Sequence, residues 1–423
     1  MGVVFIDLDR FKNVNDSMGH HVGDALLCSV ARQLLLAVRS VDTVCRMGGD
    51  EFVVVLSDVA SREEIAQIVD ERMLPLIREP HSIDGQDLEV ACSAGIAVYP
   101  EDGEDLDHLM RHADAAMYQA KSAGRDRTLF FTAEFHHQAQ RRLAIETALR
   151  RILDRNELEL HYQPRVEAST GSVLGVEALV RWTHPELGAL SPAHFIPIAE
   201  ECGLIIPIGA WILHEACRQH ATWIESGLGA IAISVNVSAV QLRDRKLPEA
   251  VASALSELGV ISSFIELELT ETFLMENASA TVECLLALKA VGVTLSIDDF
   301  GTGYSSLNYL HQFPIDKLKI DRSFVRDIVA DPADLAITRA IMGLGQPLGL
   351  RVVAEGVERE EERALLLQAG CDELQGYLFA KPMADAQFRE WLASQVVAKA
   401  SPPRARLLPK ALSPTASVAC VEA

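Results

Sequence analysis

Residues 293–307 read VTLSIDDFGTGYSSL, and the change of character within this stretch decides how the second half of the chain folds. A β-prone run stops at two adjacent aspartates, and two glycines follow in a short polar loop. Neighbouring carboxylates repel, and a buried unpaired charge is costly, so Asp298 and Asp299 need cations or donors nearby. Adjacent strand residues point to opposite faces, so the pair can share one cluster only where strand gives way to loop. Gly301 and Gly303 come where such a turn is needed.

Working outward, eight short strand-like runs punctuate the second half, most of them separated by helical patterns: LELHYQP, VLGVEALVRW, AISVNVS, FIELELTE, VTLSIDDF, DKLKID, RVVAEGV and ELQGYLF. Eight β/α units in roughly 250 residues predict a TIM-type (β/α)8 barrel. Within each run, or near its C-terminal end, sits a polar residue: Gln163, Glu177, Asn236, Glu268, Asp298, Lys319, Glu355 and Gln375. A barrel's active face lies at the strand ends, so all eight should converge on one mouth.

Glu177, Asn236, Glu268 and Asp298 are hard oxygen donors of the kind that hold magnesium or manganese. With Asp299 and Glu355 there are carboxylates enough for two cations, the arrangement that activates water and offsets phosphate charge in phosphodiester hydrolysis. Lys319 would sit among these acids as a donor to water or phosphate. Any one of the carboxylates alone reads equally well as a helix cap or loop ion pair. The full set does not.

These residues carry a resemblance. GVEALVRW, NVS, ELTE, DDFGTGYSS, KIDRSF, AEGVE and QGYLFAKP resemble the EAL domain family in the family's order, across about 141–397. The resemblance implies a cyclic di-GMP phosphodiesterase that opens the cyclic dinucleotide to linear pGpG, in a modified TIM barrel with two Mg²⁺ or Mn²⁺ ions. By motif position, Glu177, Asn236, Glu268, Asp298, Asp299 and Glu355 match metal ligands. Lys319 matches the lysine that orients the attacking water, and Gln375 a residue beside it. Arg181 matches a phosphate contact, and Gln163 lies with the ligand-binding set. Glu271 matches the glutamate that steadies the DFGTGYSS loop, which the family uses to couple dimerisation to catalysis. No substitution interrupts these positions.

The first half has another rhythm. MGVVFIDLDRFK enters a strand by residue 3 with no preceding element to cover it. A helical pattern, GDALLCSVARQLLLAV, precedes two strand-like runs, DTVCRM and EFVVVL, joined across Gly48 and Gly49 as a hairpin. A helix over about 61–79, the strand-like LEVACSAGIAVYP, the helix DLDHLMRHADAAMYQAKSAG and a closing TLFF predict a compact α+β domain over 1–131. Asp7 and Asp9 share one strand face, and Asp50 and Glu51 sit on a glycine turn where backbone can approach a triphosphate. Acids on neighbouring strands suit Mg²⁺ with a nucleotide, while Lys121 and Arg125 could reach its phosphates. Alone, a GG hairpin before Asp-Glu is a common turn.

With DLDRFKNVND and AMYQAKSAGR, it resembles the GGDEF domain of diguanylate cyclases, a fold akin to nucleotidyl cyclases and polymerase palms. The resemblance implies that two GTP-loaded domains meet face to face and make cyclic di-GMP. By position, Asp7, the Leu8 carbonyl and Asp50 match metal contacts. Glu51 matches the acid beside the reacting 3′-hydroxyl, and Asn15 and Asp24 match guanine readers. Lys12, Lys121 and Arg125 match phosphate contacts, and Arg39 and Asp42 match the RxxD product-inhibition site. The helical segment and LTGLPNR-like loop that open family members do not precede the first strand, so the domain reads as N-terminally incomplete, with an upstream sensor expected in the native protein.

The chain's 423 residues are 49% hydrophobic and 23% charged, as suits folded domains rather than disorder. A formal charge of −22 argues against loose binding to nucleic acid or anionic membranes. Eight scattered cysteines without a CxxC pair point to reduced thiols in a cytoplasmic protein. No apolar stretch approaches transmembrane length, and no leader opens the chain. Residues 132–156 predict one amphipathic helix that joins the domains and begins the second; 398–423, rich in Pro, Ala and Ser, predict a disordered tail. The function expected is cyclic di-GMP turnover in a homodimer. The barrel is the hydrolase, and the GGDEF part is a cyclase or a GTP-binding regulator. The alternative is a non-catalytic cyclic di-GMP receptor that signals to a protein partner.

Overall fold

The computed structural model describes residues 1–83, 85–271, 274, 278–302, 310 and 312–400. The chain divides into two compact units, Met1–Thr147 and Ala148–Ala423.

The first unit is built on a five-stranded sheet ordered β2-β3-β1-β6-β7. Its strands are β1 (Gly2–Leu8), β2 (Thr43–Gly48), β3 (Glu51–Leu56), β6 (Cys92–Val98) and β7 (Thr128–Phe130), with a small separate hairpin of β4 (His81–Ile83) and β5 (Gln86–Leu88). Every residue of β1 is buried, because helices later in the chain cover both faces of the sheet. Val4, Ile6 and Leu8 share a cluster with Leu26, Val30 and Leu34 of helix His20–Ala37. Val3 and Phe5 share the opposite one with Leu109, Ala113 and Met117 of helix Leu106–Ser122. That second helix lies directly on β6: a Cβ at Gly95 would come within 2.0 Å of Ala113 O and Met117 N, so only glycine fits. The hairpin between β2 and β3 turns on Gly49 and Asp50, with Gly48 still in strand, one residue later than the sequence suggests.

The helix expected over 132–156 is shorter. It runs Ala133–Leu149 and gives way to turns through Asn156. Arg151 N and Ile152 N bond three residues back, to Ala148 O and Leu149 O, and Asn156 turns left-handed at φ 52. Tightened i→i+3 bonds followed by a left-handed residue are how a helix stops.

In the second unit eight strands close a barrel: β8 (Leu158–Glu167), β9 (Val173–His184), β11 (Ala232–Val237), β12 (Ile265–Thr270), β13 (Thr294–Phe300), β14 (Lys317–Ile320), β15 (Arg351–Ala354) and β16 (Glu373–Gln375). The short β10 (Gly188–Leu190) is appended to β9. From β9 to β16 neighbours are parallel, but β8 runs antiparallel to both β9 and β16. The expectation of eight β/α units is therefore corrected at its first member. Only residues 168–172 link β8 to β9, and the turn is tied by Gly171 N to Glu167 O at 2.8 Å. A parallel connection needs a dozen residues or more, so a link this short allows only a hairpin.

Alternation along the strands sorts the residues. Ile233, Val235, Ile265, Leu267, Leu295, Ile297, Leu318 and Ile320 are buried apolar residues of the layer that meets the helices. Between them, Glu266, Glu268, Ser296, Asp298 and Lys319 are buried and polar. Ion pairs join strands that are not neighbours, such as β8 to β12 and β14 to β9, as only side chains crossing the barrel interior can do. The barrel has a charged inside and an oily outside.

The final helix, Asp385–Ala400, takes in residues 398–400, so the expected tail starts no earlier than 401; residues 401–423 lie outside the described residues. The cysteines described are free thiols.

Candidate active site

At the barrel mouth the centre is Lys319 of β14, whose side chain is 0% exposed. Its Nζ lies 2.6 Å from Glu268 Oε2, 2.6 Å from Glu355 Oε1, 3.2 Å from Asp298 Oδ1 and 4.0 Å from Glu177 Oε2. Three strands and the residue just past β15 thus aim carboxylates at one ammonium. Burial alone would lower its pKa, but Asp298, Glu177, Glu268 and Glu355 outweigh burial and hold it well above its ordinary value. The same burial pushes the carboxyls of Glu268, Asp298 and Glu355 up, against the pull of Lys319.

Asp298 and Asp299 meet by a device the sequence did not suggest. Strand β13 continues through both, and the register slips between Ile297 and Phe300 while Asp299 turns left-handed at φ 52. The strand bulges, and a bulge re-aims a side chain without ending the strand. Asp298, Asp299 and Glu355 consequently offer oxygens within 4.8 Å of one another, an acidic group that could bind a metal ion. Burial, then Asp298 and Asp321, push the Asp299 carboxyl up to about 6. Gly301 follows at φ 101, and its N–H donates to Glu271 Oε2 at 2.8 Å. Residues 303–309, which take in Gly303 and the rest of the GTGYSS stretch, lie outside the described residues.

Glu177 is held from both sides: Asn236 Nδ2 donates to its Oε1 at 2.7 Å and Gln375 Nε2 to its Oε2 at 2.5 Å. Gln375 Nε2 also reaches Gln163 Oε1 at 3.3 Å, and Gln163 sits opposite Glu177 in the β8–β9 register. Antiparallel β8 therefore delivers Gln163 to the mouth from the middle of its strand. Arg181, further along β9, is half-buried, with Nη1 donating to Val180 O at 2.8 Å, close enough to feel the charge of Glu177.

Sequence reasoning missed a second charged layer, deeper in the barrel. Arg165 forks onto Glu266, with Nη1 to Oε1 at 3.1 Å and Nη2 to Oε2 at 2.7 Å, and its Nε lies 2.8 Å from Glu373 Oε2. Lys317 Nζ pairs with Glu266 at 2.9 Å and Glu373 at 3.2 Å, and Arg351 Nη1 with Glu373 at 3.3 Å. A signal was present in the chain. Gln163 and Arg165, Glu266 and Glu268, Lys317 and Lys319, and Glu373 and Gln375 are each spaced by two, the period of one strand face.

In the first unit, Asp7 ends the buried face of β1 under helix Leu106–Ser122, and Lys121 Nζ from that helix lies 2.6 Å from its Oδ2. Burial, opposed by Lys121 and reinforced by Asp50 and Glu51, lifts the Asp7 carboxyl to about 6. Glu51 faces Asp7 across the sheet, and Leu8 N reaches back to Asp50 O at 3.4 Å. Asp9 instead accepts from Ser93 Oγ at 2.8 Å and Asp126 N at 3.0 Å, a structural role. Asn15, on helix Phe11–Met18, packs its side-chain oxygen against Gly23, beside exposed Asp24; Lys12 is exposed on the same helix. Arg125 is exposed at φ 62 beyond Lys121. Asp42 accepts from Arg39 N at 2.8 Å and Ser57 N at 2.9 Å, and Arg39 Nη2 pairs with Glu64 at 3.3 Å, so the RxxD stretch also serves its own turn.

Among the described residues no helix is long and apolar enough to cross a membrane.

Comparison with known proteins matches residues 146–382 to the EAL domain and residues 1–127 to "Diguanylate cyclase, GGDEF domain". The chain is 45% identical over 385 residues to the bifunctional diguanylate cyclase/cyclic di-GMP phosphodiesterase MucR of Pseudomonas aeruginosa, covering 91% of this chain and 56% of that protein. It is 42% identical over 391 residues to the cyclic di-GMP phosphodiesterase PdeR of Escherichia coli, covering 92% and 58%. The chain thus spans about half the length of the curated relatives it matches. Among solved structures, a Pseudomonas aeruginosa MucR phosphodiesterase in complex with cyclic di-GMP superposes at TM-score 0.56 with 46% identity, over 58% of this chain and 99% of that one. An EAL domain protein from Listeria monocytogenes superposes at 0.51 with 30% identity, over 59% and 96%.

Proposed function

This chain belongs to the EAL domain family and carries a GGDEF domain ahead of its barrel, and from that premise we propose that the barrel is a metal-dependent phosphodiesterase that hydrolyses cyclic di-GMP to pGpG. The observation that carries the reading is the mouth itself, where one buried ammonium faces four carboxylates and a fifth stands beside them. Lys319 cannot neutralise that set alone, and hard oxygen donors in excess of protein cations suit divalent ions. Glu177, Asn236, Glu268, Asp298, Asp299 and Glu355 would hold them, two Mg²⁺ or Mn²⁺ by family precedent. Bound there, the ions would activate water and offset phosphate charge.

The chain's own residues do the rest. Lys319, whose ammonium the surrounding carboxylates favour, would donate to water or a phosphate oxygen. The water's proton would pass to a carboxylate of the set. Water oxygen bonds to phosphorus, one ribose 3′-oxygen leaves, and that oxygen takes up a proton from solvent to give the free hydroxyl. Gln375, Asn236 and Gln163 keep Glu177 from rotating, Arg181 meets a phosphate, and Glu271 anchors Gly301 at the start of the following loop.

For the first unit the proposal is GTP binding, as cyclase or regulator. Asp7, the Leu8 carbonyl and Asp50 would hold Mg²⁺, Lys12, Lys121 and Arg125 the phosphates, Asn15 and Asp24 the guanine, and Glu51 the 3′-hydroxyl. Arg39 and Asp42 would take product. The GGDEF domain is assigned to 1–131 and the phosphodiesterase domain to 141–397, in a cytoplasmic homodimer. The test is chromatographic: purified protein with Mg²⁺ and cyclic di-GMP, with and without GTP. Appearance of pGpG supports the hydrolase, and faster turnover with GTP makes the first unit its regulator. Intact cyclic di-GMP with Mn²⁺ as well, in protein shown to be folded, favours a receptor instead.

A further inference from the structure

Glu268 is fully buried between two cations on opposite sides. Its Oε2 is taken by Lys319 Nζ at 2.6 Å, on the mouth side. Its Oε1 has no hydrogen-bond partner and faces Arg165 Nη1 at 3.6 Å, from the deeper layer. Arg165 is 1% exposed, and its plane is fixed by the fork onto Glu266 and by Glu373 against its Nε. A rigid guanidinium below attracts one oxygen of Glu268 and so turns the other toward the mouth. The reversal of β8 makes this possible, because it carries residue 165 two positions deeper than Gln163 on the same strand face.

We propose that Arg165 is a positioning residue for Glu268, and through it sets the affinity of the barrel mouth for a divalent cation, an inference that rests on the metal reading above. Groups that orient a ligand from behind typically contribute about 10- to 100-fold in metal affinity. The competing account is that Arg165 only neutralises Glu266 and Glu373. The two separate in the double variant Arg165→Met/Glu266→Met. It removes one cation and one anion together, leaves Lys317 and Arg351 on Glu373, and replaces a buried ion pair by apolar volume, which proteins often tolerate.

The experiment is Mn²⁺ binding to the metal-stripped 423-residue chain, read from the electron paramagnetic resonance signal of free Mn²⁺, with a thermal melt of each variant. A double variant that melts cooperatively and binds Mn²⁺ about 10- to 100-fold more weakly supports the proposal. Native affinity in that folded variant overturns it. Should the double variant not fold, Arg165→Lys answers the same question. It keeps the deep layer's charge, but a single ammonium lacks the fork that spans Glu266 and Glu268. Weakened Mn²⁺ binding supports positioning, and unchanged binding refutes it. Native protein that bound no Mn²⁺ at all would instead overturn the metal reading, and this inference with it.

Discussion

Glu266 and Glu268 stand two residues apart on one strand, face the same barrel interior and are both almost wholly buried, yet their carboxyls move in opposite directions. Burial raises both. Arg165 and Lys317 more than reverse it for Glu266, which falls to about 2, whereas for Glu268 Lys319 does not, and its carboxyl stays above the ordinary value. The deep layer sets two guanidiniums and an ammonium against two carboxylates, so its acids are fully matched by the protein's own cations. The mouth layer sets one ammonium against five carboxylates. The difference teaches which layer holds the barrel together and which requires something from outside. A buried charge set that the protein neutralises is structure, and one left in deficit is a site.

The largest expected effect breaks the mouth layer. Glu177→Ala should reduce cyclic di-GMP hydrolysis by at least on the order of a hundredfold, more than an outer-shell partner would. Circular dichroism should show an intact barrel, because Asn236 and Gln375, freed of Glu177, are neutral. Full activity in that variant would refute a ligand role.

A second effect sharpens the comparison through pH. Asp299 is lifted from 3.8 to about 6, so its contribution to stability is present below about 4 and lost as pH rises through 6; Asp298, Glu268 and Glu355 are shifted in the same direction. Glu266 is depressed to about 2, so its contribution is present above about 4.5 and lost only as pH falls through 2. Ligands must be deprotonated to bind metal, so Mg²⁺ should raise the melting temperature more at pH 7.5 than at pH 5. An equal gain at both would count against a carboxylate site.

A smaller effect belongs to the first unit, whose Asp7–Lys121 pair is balanced one to one. Lys121→Met should weaken GTP binding by about tenfold in titration calorimetry, about 1.4 kcal/mol, in the range of one charge-assisted contact. Unchanged affinity would leave Lys121 as a partner of Asp7 only.

Much of this was legible in the chain. The eight barrel runs, the mouth residues and the central hairpin of the first unit follow from periodicity and turn chemistry, since strand alternation and glycine turns are local. What was not legible depends on partners distant in sequence. The reversal of β8 was signalled by the five-residue link at 168–172, too short for a crossover, but counting the runs as eight like units passed over it. The Asp298–Asp299 bulge needs the register against Lys317–Ile320, which no local pattern specifies. The deep layer was written as polar pairs two residues apart. Reading it required treating Arg165, Lys317 and Glu373 as inward-facing, where attention to strand ends passes them over.

One paired measurement tests most directly whether the mouth is a cation site and the deep layer is not: thermal melts of native protein, Glu266→Gln and Glu268→Gln at pH 7.5, in excess chelator and then in Mg²⁺. In chelator, Glu266→Gln should destabilise the protein by about 3 kcal/mol, because it leaves buried Arg165 and Lys317 with Glu373 as their one deep-layer carboxylate. Glu268→Gln should be neutral or stabilising, because it removes a carboxylate that burial already disfavours. Mg²⁺ should raise the melting temperature of native protein and Glu266→Gln but not of Glu268→Gln. If both variants destabilised equally in chelator and responded equally to Mg²⁺, the two layers would be alike, and the mouth would be structure rather than site.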